Sequence, residues 1–283
     1  MNFYDLFLSP IIIQSFIIGI FSGILFGLVG VFIVIRRIGY LAGAVAHCAF
    51  GGIGVGIGLQ YFLSSSGIFL YVVWLFDPVY VGLFVGILSA LLAGFICRFS
   101  GEREDTIIGA IWAIGMSAGL FFVAIIPNSR NISDYLFGTI IFNTRNDVFN
   151  VIFVCVGVFL VVLLFFKRIE AVCFDEEFVR LRGVNTAFYF QLLLILSAVV
   201  VVSLVHVVGI VLVIAMLTLP AAAACRFTHK VSSACALASI FGVLGNCTGI
   251  AASVCLNSPP GPTIVIVVSI LYFVSIIITK INK

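Results

Sequence analysis

Residues 151–166, VIFVCVGVFLVVLLFF, carry no charge and no alternation of apolar with polar positions. A strand of a membrane barrel shows segments of about ten residues that alternate, because one face meets lipid and the other a polar lumen. A continuous apolar run instead suits a helix that satisfies its own backbone hydrogen bonds within lipid. Residues 191–205, QLLLILSAVVVVSLV, have the same character. Runs of this kind recur along the chain, and about 20 such residues at about 1.5 Å each cross a hydrocarbon core about 30 Å thick. The composition agrees: 63% of the 283 residues are hydrophobic and 9% charged, where a soluble domain carries about 25% charged residues.

Working outward, the pattern predicts an all-α bundle of about nine spans, with eight or ten left open. They cover residues 11–35, 38–63, 79–97, 106–126, 148–166, 186–206, 207–225, 231–256 and 263–279. Residues 68–76 are apolar but too short to cross, and read as an interfacial or re-entrant piece. Residues 127–147 form a long polar connection with an apolar island at 135–142, and the charged segment 167–185 breaks the apolar pattern. The start, MNFYDLFLSP, lacks a basic leader region, so the first span is expected to act as an uncleaved anchor. The whole chain, 1–283, reads as one transmembrane domain.

The basic residues orient it. Placing the loop after the first span in the cytoplasm puts Arg36, Arg37, Arg98, Arg103, Lys167, Arg168, Arg180, Arg182, Arg226, Lys230, Lys280 and Lys283 on that side, against Arg130 and Arg145 on the other. The positive-inside rule then predicts an external N-terminus and a cytoplasmic C-terminus. Glycines four apart share a helix face and permit close helix approach, as with Gly19, Gly23 and Gly27, or Gly115 and Gly119. Tight packing within one subunit and a dimer seam are both open readings. The eight cysteines include no C-x-x-C pair, and most lie in apolar runs, which predicts reduced structural thiols.

Polar groups within lipid are costly and mark function. No acidic residue falls within a span core. His47 lies ten residues after Arg37, about 15 Å into the bilayer. Neutral imidazole is a ligand for late transition metals, and a thiolate at the neighbouring Cys48 would add softness, although adjacent helical residues diverge by about 100°. The alternative for His47 is a hydrogen bond to a backbone carbonyl between helices. His206, at the predicted outer boundary, suits contact with incoming metal, pH sensing or a plain interfacial role. His229 falls in a basic turn and reads as solvated.

In FDEEFVRLRGVN, residues 174–185, Phe174, Phe178 and Leu181 recur at helical spacing and Gly183 closes the turn. This amphipathic piece either lies on the membrane or docks into a partner. The chain has no P-loop, H-E-x-x-H, G-x-S-x-G or intramembrane aspartate pair. It is therefore not expected to be an enzyme, and any energy source is a partner or an ion gradient.

Several motifs coincide, in order, with those of one family. AVAHCAFGG after Arg36-Arg37, REDTIIGAIWAIGMSAG (103–119), DYLFG (134–138), FDEEFVRLRGV (174–184), VGIVLVIAMLTLPAAAA (208–224) and PPGPTIV (259–265) resemble the permease subunits of ABC importers for zinc, manganese and iron. The resemblance implies uptake of a divalent transition-metal ion by alternating access in the bacterial cytoplasmic membrane, with the metal as substrate and no permanently bound cofactor. It implies ABC ATPase subunits, an extracytoplasmic metal-binding lipoprotein and a second permease in a homo- or heterodimer, and no nucleic acid. It further implies that Phe174, Asp175, Glu176, Glu177, Phe178, Leu181, Gly183 and Val184 belong to the helix that meets the ATPase. The family's mid-membrane metal site pairs an aspartate with the histidine four residues later; here Gly43 stands in the aspartate position and His47 is kept, while Ala46 and Gly51 replace a serine and a proline. Either a paralogous permease supplies the missing ligands or the pathway is relaxed. A gradient-driven carrier and a permease for a metal chelate are the alternative readings.

Overall fold

The computed structural model describes residues 9–65, 77–99, 104–126, 137–138, 140 and 143–281. Ten helices fill them: α1 Pro10–Ile35, α2 Gly39–Ser65, α3 Pro78–Phe99, α4 Glu104–Ile125, α5 Arg145–Phe174, α6 Glu176–Leu181, α7 Thr186–Val208, α8 Ile210–Phe227, α9 Val231–Leu256 and α10 Pro260–Ile281. Among the described residues there is no strand, and nine helices are long and apolar enough to cross a membrane. The expected interfacial piece at 68–76 and most of the 127–147 connection lie outside the described residues.

Local chemistry fixes the helix ends. Ser9 caps α1, its hydroxyl accepting from the Ile12 amide at 3.4 Å, and Pro10 opens the helix where its missing N–H costs nothing. Thr144 and Asp147 form a reciprocal capping box at the start of α5.

Two boundaries differ from the sequence expectation. The charged segment after residue 166 does not end the fifth span; α5 runs on to Phe174. Ile169, Val172 and Cys173 keep a buried face at helical spacing, while Lys167 and Arg168 on other faces stay exposed. The sixth span passes His206 and stops at Gly209, whose φ of 90° a residue with a side chain rarely adopts.

The interior lies along α1, α2 and α7. In α2, 89% of the apolar window is buried, against 17% in α10. α1 packs on α9, α8 and α5, while α4 packs chiefly on α2, with a lesser contact to α3. Glycine seams bring two of these helix pairs into backbone contact. A Cβ at Gly27 would stand 2.2 Å from the Ser239 amide nitrogen of α9, and one at Gly51 2.6 Å from the Gly115 carbonyl of α4. The glycine pairs thus serve packing within the subunit. Buried polar contacts reinforce the α1–α9 seam: Asn246 Nδ2 donates to the Gly19 carbonyl at 2.8 Å and to Ser22 Oγ at 3.1 Å.

The two ends of the bundle are distinguishable. At one, Ser15 donates to the Ile140 carbonyl at 2.9 Å, and the Cβ positions of Gly138 and Gly261 abut the backbones of Val208 and Phe137. At the other, Arg36 reaches α6, Arg168 Nη1 donates to Tyr189 Oη at 2.6 Å, and the Arg226 guanidinium lies 5.5 Å from the Tyr272 ring centre. Among the described residues this second end carries most of the basic side chains, with Arg145 at the opposite end.

Candidate functional site

The stretch GYLAGAVAHCAFGG at the start of α2 is built of small side chains, so neighbouring helices close around it. His47 sits there with 8% of its surface exposed. Its ring stacks on the Trp112 indole with centroids 4.7 Å apart and planes 24° apart. Its Nδ1 lies 3.2 Å from Met116 Sδ. Trp112 and Met116 are one helical turn apart on α4 and so share a face. The α2–α4 glycine seam places that face against the imidazole.

Gly43 precedes His47 by one turn of α2. A Cβ there would stand 3.2 Å from Cζ3 of Trp112 and 3.5 Å from Cη2, so the indole edge fills the space beside the missing side chain. An open cavity of ≈ 320 Å³ is lined by Arg37, Tyr40, Gly43, Trp112, Ile214 and Thr218, among others. It extends from the basic end of the bundle to Trp112, which therefore borders both the cavity and His47.

Cys48 turns elsewhere. Its Sγ donates to the Ile111 carbonyl at 3.3 Å. The backbone of His206 lies in the last turn of α7, and its side chain is outside the described residues. Among the described residues no three His, Cys, Asp or Glu side chains gather to hold a metal ion. His47 is thus placed with a thioether and an indole, neither of which the sequence reading singled out. The signal available was the four-residue spacing of Trp112 and Met116 within the GAIWAIGMSAG segment.

A second candidate feature stands at the basic end. Asp175 caps α6, its Oδ1 accepting from the Phe178 amide at 2.9 Å. Glu176 and Glu177 occupy the first turn and Arg180 the last, the arrangement a helix dipole favours. Gly183 closes the turn at φ 80°, with nothing within 4 Å of its Cβ position, so backbone conformation alone asks for glycine. Val184 follows, its amide donating to the Val179 carbonyl at 3.4 Å.

Val179 is buried against the bundle, whereas Phe178 is 51% and Leu181 85% exposed. Phe174, expected on the same helix, is the last residue of α5 instead, because Asp175 adopts an extended conformation between the two helices. It is exposed as well. Glu176 pairs with Arg36, whose Nη1 donates to the Val172 carbonyl at 3.3 Å and whose guanidinium lies 5.3 Å from the Phe190 ring centre. α6 is thereby fixed on its inner side and presents apolar side chains outward.

Comparison with known proteins gives concordant matches. The profile described as the ABC 3 transport family matches residues 8–279. A Chlamydia pneumoniae protein named as a probable metal transport system membrane protein is 32% identical over 277 residues, covering 98% of this chain and 92% of its own. The manganese transport system membrane protein MntC of Listeria monocytogenes is 29% identical over 271 residues, covering 95% and 89%. Among solved structures, PsaBC from Streptococcus pneumoniae in complex with Fab superposes with a TM-score of 0.82 at 26% identity, covering 96% of this chain and 93% of the other.

Proposed function

Because the chain belongs to the ABC 3 transport family and is a multi-pass permease of the metal-transport kind, we propose that it forms the import path for a divalent transition-metal ion, with manganese, zinc and iron as the candidate cargoes. The observation that carries this reading is the enclosed imidazole of His47. His47 lies within the most buried span, one ring away from a cavity that opens at the basic end. A neutral imidazole at that depth offers a lone pair to a metal ion that is crossing a region otherwise poor in donors.

The chain carries no nucleotide-binding motif, so the energy comes from ATPase subunits that grip the exposed face of α6. Basic residues gather at that end, which the positive-inside rule assigns to the cytoplasm. The N-terminus is then external, where a metal-binding lipoprotein delivers the ion. A second permease, identical or paralogous, completes the path, and alternating access moves the ion past His47.

Metal accumulation in cells carrying His47→Ala, with its ATPase partner present, tests the reading. The expected result is a loss of ATP-dependent uptake with normal amounts of protein in the membrane. Unchanged accumulation removes the site, and uptake that proceeds without any ATPase removes the importer reading.

A further inference from the structure

Cargo choice in a metal path follows the donors offered to the ion. Carboxylates suit manganese, magnesium and calcium; imidazole and sulfur suit zinc, copper and ferrous iron. At position 43 this chain has glycine, and the Trp112 edge fills the adjacent space. A hard oxygen donor is thereby missing one turn from His47. The side-chain donor placed against the imidazole is the Met116 thioether, 3.2 Å from Nδ1.

We propose that His47 Nδ1 and Met116 Sδ form a two-donor station that favours zinc and similarly soft or borderline ions over manganese. This inference rests on the import path described above and names its cargo class. The separation fits. With about 2.1 Å from nitrogen to metal and the thiolate distance of about 2.3 Å taken as the shortest sulfur–metal distance, donors 3.2 Å apart subtend an angle of about 90° at a shared ion. A tetrahedral angle needs them only about 0.4 Å further apart. Methionine has three rotatable bonds, which supply that adjustment without moving α4. The ion's own water fills the remaining positions. Trp112 stacks on the imidazole and so fixes the ring plane from which Nδ1 projects.

The test uses the purified permease–ATPase complex in lipid nanodiscs, without the external binding protein, dialysed against radioactive zinc or radioactive manganese. Wild type is expected to bind zinc more tightly than manganese by about tenfold or more. Met116→Leu keeps the volume but removes the sulfur; it is expected to weaken zinc about tenfold and leave manganese unchanged. A role in packing alone would not move that ratio. Equal or tighter manganese binding by wild type overturns the proposal, and so does an unchanged zinc affinity in Met116→Leu. Should that variant not assemble, competition on wild type decides: manganese displacing zinc at equal or lower concentration overturns the station. ATP-driven metal uptake that needs His47 yet ignores Met116 leaves the import path standing and removes the sulfur donor alone.

Discussion

Arg36 and Glu176 stand 140 residues apart in the chain and form an ion pair. Through it the last turn of α1 is tied to the first turn of α6. Arg36 is held in place by the Val172 carbonyl and the Phe190 ring, so the guanidinium is positioned whether or not α6 is loaded. The covalent and ionic path from α6 thus runs to α1 and, through the tight turn at Arg37 with its φ of 60°, to the start of α2.

Replacing Glu176 by Gln tests that connection. Both partners are partly exposed, so the pair contributes only about 0–1 kcal/mol to stability. The protein is expected to accumulate normally and keep its thermal transition, while metal uptake per ATP hydrolysed falls several-fold. A ratio equal to wild type counts against the connection.

Gly183→Val acts by a different route. The Cβ position is unobstructed, so the cost is that of a β-branched residue at φ 80°, about 1–2 kcal/mol. The turn after α6 is expected to open and uptake to fall, with the rest of the bundle intact by circular dichroism. Gly183→Asn, which tolerates positive φ, is expected to restore much of the loss.

Leu181→Glu places a charge where a largely exposed apolar side chain now stands. Membrane levels are expected to match wild type, because nothing buried is disturbed. Co-purification of the ATPase subunits is expected to drop at least about tenfold, as for an apolar anchor lost from an interface.

Helix packing is checked by two glycines of opposite setting. Gly27→Ala forces a methyl to 2.2 Å from the Ser239 amide nitrogen. The backbones of α1 and α9 must separate, at a cost on the order of 3 kcal/mol or more. Gly157→Ala meets nothing within 4 Å and gains up to about 1 kcal/mol of helix propensity. Melting curves in detergent are expected to move in opposite directions.

Gly43→Asp brings a Cβ to 3.2 Å from the Trp112 ring. Alone it is expected to displace the indole and lower stability. Combined with Trp112→Ala, which vacates that space, it is expected to raise manganese binding about tenfold by supplying a carboxylate. The same dialysis measurement reads both.

Much of the bundle was legible because lipid imposes one requirement on every span: a long apolar run with its backbone bonds closed internally. The boundaries of α5 and α7 were harder to read. At residues 167–173 local charge density masked a continuing apolar stripe of Ile169, Val172 and Cys173, and at the α7 boundary the backbone preference of Gly209 outweighed the polarity of His206. His47 was visible as a lone imidazole in an apolar stretch. Its neighbours were not, because the depth at which α4 meets α2 is set by which glycine faces which, Gly51 on Gly115 and Gly54 on Gly119. A one-dimensional pattern does not encode that register. The pairing of Arg36 with Glu176 was hidden for the same reason.

The α2–α4 seam is keyed lengthwise by rings seated on glycines, Phe50 on Gly119 and Phe122 on Gly58, and α4 has little other attachment within the subunit. His47 rides on one rail of that seam and Met116 on the other. A slide of one helix along its neighbour would have to lift those rings off their glycines, so the same interlocks that hold α4 on α2 also keep nitrogen and sulfur in register.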